Sequence, residues 1–343
     1  MKPRTPGFWL IVATVGLLAL LPMQAVAGMT PAEVKAFAET KVMADQGDAQ
    51  AQSKLGLCYY NGVGVAKDFG QAVAWYRKSA EQGNAKAQSR LGYCYANGEG
   101  VPKDDPQAVS WYLKASERGD AVAQLNLGVC FFYGNGVARN LVQAASWYRK
   151  SAEQGDARAQ ASLGLCYAAG NGVASDTVQA VSWYRKAAEQ GDAQAKWGLA
   201  LCYAYGEGVR QDHAQAVTWY REAAEQGFAD AQLNLGYCYA NGEGVTKDFG
   251  QAVAWWRKAA EQGDARAQCK LGACYEDSAG VAKDEIEAYA YYNLAGRTKE
   301  AARTNLSFLE KTMSPEARVR GQQRAKELQK EIEAKIASKA AGK

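Results

Sequence analysis

Cysteine recurs every 36 residues along this chain, at Cys58, Cys94, Cys130, Cys166, Cys202, Cys238 and Cys274. Tryptophan keeps the same step at Trp75, Trp111, Trp147, Trp183, Trp219 and Trp255, with Tyr291 in the seventh place. Six of the copies close on a glycine: Gly83, Gly119, Gly155, Gly191, Gly227 and Gly263. A period of this length, held without insertion from Asp48 to about Lys299, belongs to a repeat architecture and not to one closed core.

Each copy reads as two helices. In the second, residues 84–119, Asn84 is an N-cap whose side chain can accept from free backbone N–H groups of the first turn. Ala87, Leu91 and Cys94 follow at three- and four-residue spacing, the apolar stripe of a helix. Gly92 stands where a missing side chain lets another helix come close. Asn97, Gly98 and Gly100 end the helix and form the loop. Asp104 or Asp105 opens a second helix with Pro106 in its first turn, and Ala108, Trp111, Tyr112 and Ala115 make its apolar face. A helix pair this small cannot bury both faces alone, so stacked neighbours must complete the core as an α-solenoid.

Those residues carry a likeness. Leu91, Gly92, Tyr95, Gly98, Gly100, Val101, Asp104, Ala108, Trp111, Tyr112, Ala115 and Gly119 match the pattern of the Sel-one-like repeat, a relative of the tetratricopeptide repeat, and the other copies match similarly. The chain thus resembles that family over about three quarters of its length. The resemblance implies an all-α fold, a right-handed solenoid of seven 36-residue helix–turn–helix repeats with capping helices at both ends. It also implies a scaffold or adaptor role, with the first helix of each repeat lining the concave surface. Two departures stand out: Ala200 replaces the packing glycine in repeat five, and "EDSAG" replaces the compact glycine loop in repeat seven.

The ends divide the chain further. Lys2 and Arg4 precede the apolar run "GFWLIVATVGLLALL" and the small-residue stretch "MQAVAG", the parts of a secretory signal peptide with cleavage after Ala27. The run is shorter than the ~20 residues a membrane-spanning helix needs. The expected divisions are a signal peptide at 1–27, an N-terminal capping helix at 28–47, seven repeats at 48–299, and a C-terminal capping helix with a basic tail at 300–343. In the N-terminal cap, Thr30, Pro31 and Glu33 form a capping box. In the C-terminal one, Ser314 and Pro315 start a helix whose narrow stripe is Ala325, Leu328, Ile332 and Ile336. The expected location is outside the cytoplasm, periplasmic or secreted.

Residues 297–343 carry twelve Lys or Arg against six Glu, while the whole chain is only +4, so the body is mildly acidic. Nucleic-acid binding wants a continuous basic face, which this distribution denies. Catalysis fares no better. The single histidine, His213, stands where other repeats have Phe69, Asp105, Leu141, Thr177, Phe249 and Glu285, so no imidazole is required there. A Cys–His or Ser–His–Asp system needs a base beside its nucleophile. The Gly-x-Gly loops follow helices and lack the lysine of a phosphate loop. Asp68, Asp104, Asp212 and Asp248 sit at helix starts, where capping accounts for them. The seven periodic cysteines read as small core residues, and stacked equivalents ~10 Å apart are too distant for disulfides. Cys269, about 140° around its helix from Cys274, is the thiol expected to be exposed. Neither a cofactor nor a metal is implied.

Binding specificity is sought at positions that vary between copies. On the first helices, side chains turned from the core fall in three columns, which contribute Leu57, Tyr93, Leu125, Tyr133, Trp197, Leu201, Tyr205, Leu233 and Tyr237 as candidate partner-binding residues. Apolar and aromatic groups on such a face are what an interface centre uses. The leading expectation is an exported, non-enzymatic adaptor binding a protein or peptide. The second is an envelope protein binding peptidoglycan or another glycan, and the third a cell-wall or β-lactam hydrolase, against which the absent S-x-x-K motif weighs.

Overall fold

In the computed structural model, residues 29–341 are described, and among them are seventeen α-helices and no strand. The expected signal peptide at 1–27 lies outside the described residues. After α1 (Pro31–Asp45), the repeats supply first helices α2 (Ala49–Asn61), α4 (Ala85–Asn97), α6 (Ala121–Tyr133), α8 (Ala157–Ala169), α10 (Ala193–Tyr205), α12 (Ala229–Asn241) and α14 (Ala265–Asp277). Their second helices are α3 (Phe69–Glu81), α5 (Asp105–Glu117), α7 (Leu141–Glu153), α9 (Thr177–Glu189), α11 (His213–Glu225), α13 (Phe249–Ala260) and α15 (Glu285–Gly296). Two more helices follow, α16 (Glu300–Thr312) and α17 (Pro315–Ala341). The helices form two compact units, Met1–Asp120 and Ala121–Lys343. Within each unit a helix packs on its neighbours in sequence, the nearest-neighbour stacking of an α-solenoid.

Local sequence accounts for the elements. Second helices begin where Asp68, Asp104, Asn140, Asp176, Asp212 and Asp248 accept from the N–H three residues on, at 2.9–3.0 Å, so the acids are caps as expected. First helices end in a left-handed residue such as Gly62 (φ 74°), whose N–H returns to Cys58 O. In repeat seven Ser278 takes that place at φ 59°, the one non-glycine with positive φ among the described residues. The "EDSAG" loop therefore keeps the turn at the cost of a strained serine.

In six repeats the glycine after the core leucine makes room for a ring. A Cβ on Gly56, Gly92 or Gly164 would lie 2.6–2.8 Å from the ring of Tyr76, Tyr112 or Tyr184 on the second helix of the same repeat. Six of the seven periodic cysteines are buried beside these rings, and Cys58 is half-buried. Buried glutamines tie hairpins together. Gln52 donates to Ala44 O at 3.2 Å and accepts from Gln82 at 2.8 Å; Gln160 and Gln232 repeat both bonds with Ala152 and Gln190, and with Ala224 and Gln262.

The caps extend this grammar. α1 carries the Thr30–Glu33 capping box. Its first turn stands against Gly64 as the first turn of α3 stands against Gly100, so α1 takes the place of a second helix ahead of repeat one. At the other end, the expected single C-terminal capping helix at 300–343 is two helices: residues 300–312 form α16 ahead of α17. α17 covers more than the last repeat: Ala325, Leu328 and Ile332 share a core with Tyr291 and Leu294 of α15 and with Trp256 and Ala260 of α13. Arg324 pairs with Glu287 at 2.7 Å, and Lys335 with Glu261 at 2.9 Å. In five other repeats a lysine lies over the tryptophan three residues before it, as Lys150 over Trp147 and Lys258 over Trp255 at about 4 Å. Beneath α17 the same two places are Tyr291 and Leu294, the apolar choice for a face sealed from water.

Candidate interaction surface

The nine candidates divide by helix geometry. In the unit Met1–Asp120, Leu57 on α2 is half-buried and Tyr93 on α4 is exposed. In the unit Ala121–Lys343, Tyr133 and Tyr205 are the last residues of α6 and α10 and stand 67% and 69% exposed. Leu201 and Tyr237 are half-buried one turn earlier on their helices. Leu125 and Leu233, expected at the surface, are 5% and 3% exposed and belong to the core. Their column faces the adjoining hairpin, whose packing removes it from solvent, so these two residues have no surface to give a partner. Val129 and Leu165, in the column of Leu201 and Tyr237, are half-buried and extend the same strip. The aromatic signal that singled out their neighbours is absent from them.

Trp197 shares the inward column and is half-buried. Its ring packs on Phe228 with centroids 5.7 Å apart, and its indole N–H is buried without an acceptor. Phe228 holds the N-cap position of α12, and no side chain caps that helix. Tyr237 meets Trp256 edge-on at 5.6 Å, while Lys270 lies over its ring at 5.2 Å. Burial raises the Tyr237 hydroxyl pKa. Helices α6, α8, α10 and α12 contribute only Arg158, Lys196 and Asp230 as charged side chains. Lys196 is nearly enclosed, and its ammonium meets Glu222 of α11 at 2.9 Å. Across α6, α8, α10 and α12 the first-helix face is therefore mostly neutral and apolar, with two phenols projecting at its edge, while α14 adds Arg266, Lys270, Glu276 and Asp277.

The thiols are held neutral. Burial, the largest influence, pushes Cys94 up to about 12 and Cys166, Cys202, Cys238 and Cys274 to about 11. Cys269 was expected to be exposed, yet it is half-buried against the core of α15 and α16, and burial raises its pKa too. Its helix presents that side to α16, an element the repeat period alone does not reveal. His213 sits in the first turn of α11, and its backbone carbonyl meets loop residue Gly244. Among the described residues no three His, Cys, Asp or Glu side chains gather as a metal site, and no helix is long and apolar enough to cross a membrane.

Stacked helical hairpins with a neutral, aromatic-edged face define a helical-repeat protein of the tetratricopeptide-like class. More narrowly, the chain belongs to the Sel1 repeat family, whose profile matches residues 49–84, 85–120, 121–156, 157–192, 193–228, 229–264 and 265–297. Proteins of this family generally act as scaffolds for protein interactions. A Sel1 repeat protein from Oxalobacter formigenes is 35% identical, with a TM-score of 0.64 and 80% of each chain covered. The protein c5321, a protective antigen of uropathogenic Escherichia coli with an SLR fold, is 31% identical with a TM-score of 0.56, covering 90% of this chain and 74% of its own. No curated protein matches the chain.

Proposed function

We propose that the protein is an exported, non-enzymatic adaptor that binds a protein or peptide across the first-helix face of its repeats. The observation that carries this reading is the neutral strip Val129, Leu165, Leu201 and Tyr237, half-buried and flanked by the exposed Tyr133 and Tyr205. Exposed tyrosines beside a partly desolvated apolar strip are the composition of an interface centre, where few residues supply most of the binding energy. Family membership supports the scaffold role. Export is supported by the Lys2/Arg4, apolar and small-residue order of the first 27 residues. The description of c5321 as a protective antigen agrees with a protein met outside the cell.

The test is recovery of partners from envelope extracts on the immobilised mature chain and on the Tyr133→Ala/Tyr205→Ala variant, identified by mass spectrometry. Both tyrosines are exposed, so the variant keeps its fold. Proteins enriched by the wild type and lost from the variant support the reading; identical recovery sinks it.

A further inference from the structure

Inside the unit Met1–Asp120, the glutamine pair described above is missing at Gln88. Gln88 is 4% exposed and its amide donates to Ala80 O at 3.0 Å, as Gln52 does to Ala44 O. Its carbonyl Oε1, however, is buried with no donor from the protein. Thirty residues on, where Gln82 serves Gln52 and Gln190 serves Gln160, the chain carries Arg118. The Arg118 guanidinium lies against Gly83. Gln88 and Arg118 line an open cleft of about 350 Å³ together with Glu81, Gln82, Trp111 and Lys114.

We propose that this cleft binds a small molecule carrying a primary carboxamide and a carboxylate, of which glutamine is the simplest. The ligand's chemistry is read from the group that other repeats place there, since a carboxamide N–H is what the homologous carbonyls accept. An unpaired buried carbonyl rewards a donor strongly, because its desolvation is already complete. The Arg118 fork and the Lys114 ammonium suit a carboxylate, and Glu81 suits an α-ammonium group. Two cations and one anion around a cleft of this size match an amino-acid zwitterion better than a neutral amide.

Isothermal titration of the full chain with L-glutamine tests this, with L-glutamate and Arg118→Gln as the discriminating arms. Arg118→Gln restores the repeat's own amide donor, so the variant should melt higher than wild type and bind glutamine at least about tenfold more weakly. L-glutamate presents an acceptor where a donor is needed and should lose about as much. Arg118→Ala, which leaves Gln88 unpaired but removes the fork, should also bind weakly. N-acetyl-L-glutamine separates two sources of the same chemistry: equal binding marks the C-terminal glutamine of a peptide, and weaker binding marks the free amino acid. No binding of either compound to the wild type overturns the proposal, as does equal binding of glutamine by Arg118→Gln or of glutamate by the wild type.

Discussion

Lys196 and Glu222 form an ion pair, Nζ to Oε2 at 2.9 Å, at two positions that the adjacent repeats fill with glutamine and lysine. Gln160 and Gln232 flank Lys196 in the repeat register, and Lys186 and Lys258 flank Glu222. The two departures therefore compensate one another: an enclosed ammonium replaces a buried amide, and the residue over Trp219 becomes its counter-ion. Glu222→Lys alone should lower stability by about 1–3 kcal/mol, because Lys196 is left unpaired facing a like charge. The double variant Lys196→Gln/Glu222→Lys should recover most of that loss. Denaturant unfolding of the full cycle measures the coupling, and additive effects would refute it.

Phe228 and Trp197 present a second exchange. An N-cap carboxylate contributes about 1 kcal/mol, and an aromatic pair about 0.5–1.5 kcal/mol beyond its buried area. Phe228→Asp should thus cost about 1–2 kcal/mol, the regained cap offsetting only part of the lost ring. Phe228→Ala loses the ring without regaining a cap and should cost about 2–3 kcal/mol. Melting temperatures of the two variants, side by side, decide it.

The ring of Tyr112 occupies the space that a side chain at Gly92 would need, with a Cβ there only 2.8 Å from ring carbons. Gly92→Ala should therefore destabilise by about 1–3 kcal/mol through overpacking, although alanine is the better helix former. Repeat five carries Ala200 at this position with Tyr220 still buried, so local adjustment limits the cost. Gly92→Ala/Tyr112→Phe should not recover it, because the clash lies at ring carbons and not at the hydroxyl. Thermal melts of both variants check this.

The sequence revealed the hairpins, the caps and the packing glycines because each depends on a few residues at fixed spacing. α1 was recognisable from Thr30, Pro31 and Glu33 for the same reason. The reach of α17 is less accessible: the expected stripe of Ala325, Leu328, Ile332 and Ile336 shows neither that two repeats bury it nor that Ile336 lies beyond the cover, 47% exposed. Substitution of Trp–Lys by Tyr291–Leu294 is the sequence trace of that cover, and it becomes readable only once α17 is seen to lie there. The surface columns failed at Leu125 and Leu233, where angular position on one helix says nothing of how closely the next hairpin approaches. The same holds for Cys269, whose cover comes from α16, outside the repeat.

Ser278 offers a stabilising change. A left-handed backbone costs a side-chain-bearing residue about 1 kcal/mol relative to glycine, and the homologous residues Gly62, Gly98, Gly206 and Gly242 all avoid that cost. Ser278 Oγ donates to Val281 O at 3.2 Å, a bond that substitution removes. That bond is exposed and contributes little, so Ser278→Gly should raise stability by a few tenths to about 1 kcal/mol. A lower melting temperature would show that the serine bond outweighs the strain.

The buried thiols and phenols set the response to alkali. Burial raises Cys94 to about 12 and Cys166, Cys202, Cys238 and Cys274 to about 11, against an ordinary thiol near 9. Tyr76 and Tyr291 are pushed to about 12 by the same cause, and Tyr148, Tyr184 and Tyr220 rise as well. A folded-state pKa above the unfolded one means that both states are protonated below the unfolded value. Stability is then fully present up to about pH 8.5 and falls as pH climbs from 9 toward 12, because only the unfolded chain releases its protons freely. Melting temperature should be flat from pH 7 to 8 and decline steeply by pH 10.5. At pH 7.5 a maleimide should label the folded chain slowly, first at the half-buried Cys58 and Cys269, and label all eight cysteines once denaturant is added. Rapid labelling of Cys94 or Cys166 in the folded protein, read by peptide mass spectrometry, would show that these cores open far more readily than their packing implies.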